Sequence, residues 1–157
     1  MGQPRKAEAL WRHKLTSDRR VLGNDHPVTI RSIEVIGQLL TDEGDYGGAV
    51  PLLRECLALR EKTQPDIWQT FNTHSLLGGA LLGQKKYADA EPLLLKGYKG
   101  LRQREKTIPP QGLVRLPEAL DRLVEQYTAT DKPDDVKKWR AERARYPKVA
   151  PLPREKK

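Results

Sequence analysis

Displaced by 41 residues and laid on itself, the sequence meets its own image. Thr29 and Thr70, Gly37 and Gly78, Leu40 and Leu81, and Tyr46 and Tyr87 coincide, as do Ala49 and Ala90, Pro51 and Pro92, Leu52 and Leu93, and Leu53 and Leu94. So many identities at one offset mark an internal repeat, and a period of this length means stacked units that share an elongated core. Ala7 and Leu10 precede Ala49 and Leu52 by 42, so the chain opens with the second half of an earlier unit.

The best-formed copy runs from Thr70 to Leu101. His74, Leu77, Gly78 and Leu81 fall at i, i+3, i+4 and i+7, and Ala90, Leu93, Leu94, Gly97, Tyr98 and Leu101 continue that spacing after a short polar turn. Each half is an amphipathic helix. The chain is therefore all-α and built of antiparallel helix pairs: about two and a half to three repeats, then a capping pair. The expected boundaries are a frayed N-terminus at 1–6, a helical repeat domain at 7–146, and a disordered basic tail at 147–157. Within the domain lie a half repeat at 7–24, repeats at 25–64 and 65–107, and the divergent capping pair at 108–146, with Leu116, Leu120, Leu123, Val124 and Tyr127 inward. Asp25 and Asp66 are the expected helix caps, with Pro27 in the first helical turn. Pro51 is expected in the first turn of a helix over Gly48–Lys62, where its missing N–H had no acceptor.

Charge bounds the partners. The net charge of +8 favours acidic proteins, nucleic acid or anionic lipid. The basic residues are nevertheless spread over helices (Arg19, Arg20, Lys85, Lys86, Arg102, Arg104) and the C-terminus (Arg154, Lys156, Lys157), without the interleaved aromatics that base stacking requires. A solvated basic face is the expectation, and a nucleic-acid-binding module the lesser alternative. The single cysteine, Cys56, rules out an intramolecular disulfide and points to a reducing compartment. No apolar run approaches the roughly 20 residues of a membrane span, and Lys6 stands where an N-myristoylation motif needs Ser or Thr. A cytoplasmic protein without membrane contact is expected.

Catalysis has little to stand on. His13, His26 and His74 belong to different elements and show no metal-ligand spacing with one another or with Cys56. Ser32 and Ser75 have no base on the same face, and Cys56 stands at a small core position. No catalytic residue, cofactor or metal is expected.

The order small residue, large residue, tyrosine carries a resemblance. Leu77, Gly78 and Leu81, then Tyr87, then Ala90, Leu94 and Gly97 are similar to the tetratricopeptide repeat, and Ile36, Gly37, Leu40, Tyr46, Ala49, Leu53 and Cys56 repeat the match. The long period and the linker Leu22-Gly23-Asn24-Asp25-His26-Pro27 resemble the kinesin-light-chain type. The stretch Trp68 to Tyr98, with Ile108-Pro109-Pro110-Gln111-Gly112 and Lys132-Pro133-Asp134-Asp135-Val136-Lys137-Lys138-Trp139-Arg140, also looks like the C-terminal repeat tail of some bacterial serine/threonine protein kinases. No kinase motif is present in this chain.

The resemblance implies a right-handed α-solenoid whose first helices line a concave groove for an extended peptide or a partner helix. By register, Arg31, Glu34, Gln38, Thr41 and Asp42 would face that groove in one repeat and Asn72, Ser75, Gly79 and Leu82 in the next. In the cap, Glu118, Asp121 and Glu125 take the corresponding places, as carboxylates able to receive a basic segment. Asn72 is the best single candidate, because an amide both donates to and accepts from a peptide backbone. Gly37, Tyr46, Ala49, Gly78, Tyr87 and Ala90 are structural. The implied function is a protein-interaction scaffold, the C-terminal part of a longer array or of a kinase-linked protein. The alternative is a scaffold that self-associates through the uncovered stripe of Leu10 and Trp11.

Overall fold

A computed structural model describes residues 3–147. Seven helices follow one another: α1 (Gln3–Leu22), α2 (Pro27–Asp42), α3 (Tyr46–Thr63), α4 (Trp68–Gly83), α5 (Tyr87–Gln103), α6 (Arg115–Ala129) and α7 (Pro133–Arg143). Two short 3-10 turns, Glu105–Thr107 and Pro110–Gly112, separate α5 from α6, and no strand occurs among the described residues. Each helix packs on the next, and α4 also touches α2 and α6. The first helices of the pairs therefore form one layer and the second helices the other, giving an α-solenoid.

Glycine sets the distance between the layers. A Cβ added at Gly37 would lie 2.7 Å from the Leu53 side chain, and one added at Gly78 would lie 2.8 Å from that of Leu94. The same contact thus recurs 41 residues on, with both leucines fully buried. Burying a leucine stabilises by about 1.5–3 kcal/mol, and these two sit at the centre of their repeats. Between repeats Tyr46 does a matching job: its ring edge occupies the place of a side chain at Gly83, where a Cβ would come within 2.4 Å of Cζ. The turns also repeat. Asp45 N–H donates to Leu40 C=O (2.8 Å) and Lys86 N–H to Leu81 C=O (3.0 Å), which puts Gly44 at φ +80° and Lys85 at φ +60°.

Several local expectations are corrected. α1 begins at Gln3, ahead of the expected start at Ala7, with Pro4 in a first turn that needs no N–H. His26 caps α2, its Nδ1 accepting from Val28 N–H at 3.2 Å, while Asp25 turns outward to pair with Lys62 at 2.8 Å. Asp66 does not cap α4 either, since Ile67 holds the cap position without a side-chain bond and Asp66 lies beside Arg104. Asp45, accepting from Gly48 N–H at 2.9 Å, starts α3 at Tyr46. Pro51 is consequently the sixth helical residue, beyond the first turn, as is Pro92 in α5. Both prolines are exposed, as are Gly47 and Ala88 four residues earlier, so the carbonyls that lose a helical partner stand on the solvent side. Of the expected basic tail only Pro147 is described; 148–157 lie outside the described residues.

Candidate functional site

A cleft of about 540 Å³ opens between α2 and α4. Arg31, Glu34 and Gln38 line it from successive turns of α2, and Asn72 from α4. These four are the groove residues expected from register that the structure brings together. Val28, Val35, Ile67 and Trp68 supply its apolar wall, and Pro109, Gln111, Gly112 and Arg115 close one side. That closure comes from the inserted linker: Ile108 is buried, and a side chain at Gly112 would meet the Trp68 ring at 3.1 Å.

The other expected residues stand elsewhere. Thr41 is half-buried and donates back to Gly37 C=O (2.8 Å). Ser75 is buried, accepting from Arg122 Nη1 at 3.0 Å, and Leu82 is in the core. Arg122 also lies over Gly79, so that a Cβ there would come 2.9 Å from its Cδ. Asp42 keeps much of its surface open to solvent at the end of α2, and partial desolvation of its carboxyl raises its pKa against the pull of Arg122. The carboxylates of the cap do not form one free acidic patch: Glu118 is paired with Arg115 (2.8 Å) and Asp121 with Arg143 of α7 (2.7 Å), leaving Glu125 exposed. Burial holds the Arg122 guanidinium below its ordinary pKa.

The floor of the cleft is ionic and comes from α3. Arg60 is 4% exposed and reaches between α2 and α4, with Nη2 3.1 Å from Glu34 Oε2. Thr73 Oγ1 donates to the same oxygen at 2.6 Å, and Arg60 Nη1 points to Gln64 Oε1 at 3.5 Å. Next to this pair the Cys56 thiol is pushed up to about 12, first by burial and then by Glu34. It is a core thiol, not a nucleophile. Reasoning from the first helices alone misses Arg60, Gln64 and the linker residues, and the family register passes over Gln69 on α4 itself. The 41-residue register carries the missing signal: Arg60 stands where the next repeat has Leu101, and Glu34 where it has Ser75. A charged pair standing where the other repeat has a leucine and a serine is a deviation to notice.

His74 lies behind the cleft. Its Nδ1 is 2.9 Å from Thr70 C=O and its Nε2 3.1 Å from Glu61 Oε1, and burial lowers its pKa. Among the described residues no group of acids, histidines and cysteine is placed to hold a metal ion, and no helix is long and apolar enough to cross a membrane.

Residues 1–62 match the family model of the tetratricopeptide repeat. The chain has the fold of a tetratricopeptide-repeat solenoid. Solved structures agree on the fold. Two crystal structures of kinesin light chain nearly identical TPR-like repeats from Podosopora anserina, one a single-substitution variant, superpose with TM-scores of 0.69 and 0.65 at 17% and 19% identity. Each match covers 92% of this chain and 66% of the other, so the chain spans just under two thirds of those proteins. No curated protein matches the sequence. Tetratricopeptide repeats serve generally as protein–protein interaction scaffolds and are typically non-catalytic.

Proposed function

We propose that this solenoid is a non-catalytic, cytoplasmic scaffold that receives an extended segment of a partner protein in the cleft between α2 and α4. The observation that carries the reading is the lining itself. Five side-chain amides (Gln38, Gln64, Gln69, Asn72 and Gln111) share the cleft with an apolar wall that includes Trp68. Amides bond a peptide backbone in either sense, and a half-buried tryptophan anchors one of its side chains. Arg31 is exposed and has no ion-pair partner among the described residues, so it is available to a bound chain. The scaffold fits the C-terminal part of a longer repeat array or of a kinase-linked protein.

Affinity capture with the wild-type chain, an Arg31→Ala/Gln38→Ala/Trp68→Ala variant and a second-layer control, Arg54→Ala, tests this. A partner retained by the control and lost by the cleft variant supports the proposal, and equal retention by all three sinks it. A second reading has an observation of its own. Leu10 and Val21 on α1 are each 70% exposed, which suits self-association through that helix. Sedimentation that gives only monomer at high concentration removes this alternative.

A further inference from the structure

Six buried side-chain polar atoms among the described residues have no hydrogen-bond partner, and three of them belong to residues that line one cleft. They are Arg60 Nε, Gln69 Oε1 and Asn72 Oδ1. Arg60 and Asn72 are only 4% and 2% exposed, so neither side chain turns to bulk water for relief. The first atom is an obligate donor, and the other two are acceptors. Buried groups of this kind are ordinarily satisfied, and a concentration of exceptions beside an open cleft marks hydrogen-bonding capacity held for a ligand.

We propose that the floor of the cleft recognises a primary carboxamide, the side chain of a glutamine or asparagine in the bound segment. The proposal rests on the peptide-cleft reading above and names its chemistry. A carboxamide offers one carbonyl acceptor and two N–H donors, the complement of one donor and two acceptors. Its carbonyl takes Arg60 Nε–H, and its two N–H groups go to Gln69 and Asn72. Other side chains fit less well. A carboxylate would satisfy Arg60 but would set its second oxygen against Gln69 Oε1, Asn72 Oδ1 and the Glu34 carboxylate. An ammonium would satisfy the two amide oxygens and oppose the Arg60 guanidinium. An aliphatic side chain leaves all three atoms as they are in the empty cleft. Glu34 and Thr73 are positioning residues here: Glu34 holds the far end of the Arg60 guanidinium at 3.1 Å and is itself held by the 2.6 Å Thr73 bond, which leaves Nε without a partner.

The test uses the full chain and three pentapeptides, acetylated and closed as methylamides, identical except for a central Gln, Glu or Met. Binding is followed by NMR shifts of the Trp68 indole and the Gln69 and Asn72 side-chain amides. The Gln peptide is expected to bind about tenfold more tightly than either analogue, the ratio that one satisfied buried group gives. Gln69→Leu and Asn72→Leu, each first shown to melt cooperatively, are expected to bring the three affinities within about threefold of one another. Equal binding of the three peptides to the wild type overturns the carboxamide inference and leaves the peptide cleft standing; ordered water then fills the floor. Failure of all three to shift Trp68 overturns both.

Discussion

The repeat formed by α2 and α3 and the one formed by α4 and α5 share a frame and differ in what fills it. Gly37 on Leu53 and Gly78 on Leu94 are the same contact, and Gly44 and Lys85 close the same turn. Behind the frame the second repeat is tighter. Gly97 stands where the first repeat has Cys56, and Gly100 where it has Leu59. A Cβ at Gly97 would fall 2.7 Å from Ser75 N, and one at Gly100 would enter the Phe71 ring. The first repeat is instead held apart around the Arg60–Glu34 pair, whose counterparts Leu101 and Ser75 are both fully buried. Two copies of one pattern have therefore diverged, one toward close packing and the other toward a polar opening. The cleft opens beside that polar pair, between α2 and α4.

The comparison breaks most easily at Glu34. Glu34→Ala leaves Arg60 charged, buried and unpaired, and a loss of about 3–5 kcal/mol in unfolding free energy is expected from urea titration. The counterpart change, Ser75→Ala, is expected to cost about 1 kcal/mol, one hydrogen bond. A somewhat smaller asymmetry is expected at the second site. Gly97→Ala forces the backbone of α4 outward and is expected to cost about 3 kcal/mol, whereas Cys56→Ala in the looser repeat removes one sulfur and is expected to cost about 1 kcal/mol. Equal losses at Gly97 and Cys56 would show the two repeats to be equally packed.

His74 and its counterpart Ile33 differ in charge chemistry. Burial sets the His74 pKa below its unfolded value, so the unfolded chain binds the extra proton. The resulting stability is whole above the ordinary imidazole pKa of about 6.5 and is lost as pH falls through that value toward the folded one. His74→Ile, which makes the second repeat like the first, is expected to flatten thermal stability between neutral and mildly acidic pH. An unchanged slope in the variant would assign the dependence to other groups. The smallest effect is a gain. Lys85 holds a left-handed conformation that Gly44 holds freely, so Lys85→Gly is expected to raise stability by about 1 kcal/mol, read as a higher Tm.

The frame was legible because apolar spacing and small residues report burial directly. Leu53, Leu81, Leu94 and Leu101 are all buried as their periodicity requires. Capping was less legible. Asp25, His26 and Asp45 all have side chains able to accept from a helix end, and the choice among them depends on partners such as Lys62, which arrive only in the fold. Half of the cleft escaped for a different reason. Register with the family places first-helix residues such as Arg31 and Asn72 in the groove, but it says nothing of a second-helix arginine that passes between two first helices. It is equally silent on an inserted linker that packs against Trp68.

Tyr46 packs on the end of the following repeat, and the longest side-chain hydrogen bond among the described residues, Arg122 to Ser75, joins positions 47 apart. No such bond waits for a distant part of the chain. Each repeat can therefore settle on its immediate neighbours without waiting for the rest of the chain. Folding can start at whichever repeat is the most stable and spread to its neighbours, and the cleft is complete once the linker packs on Trp68.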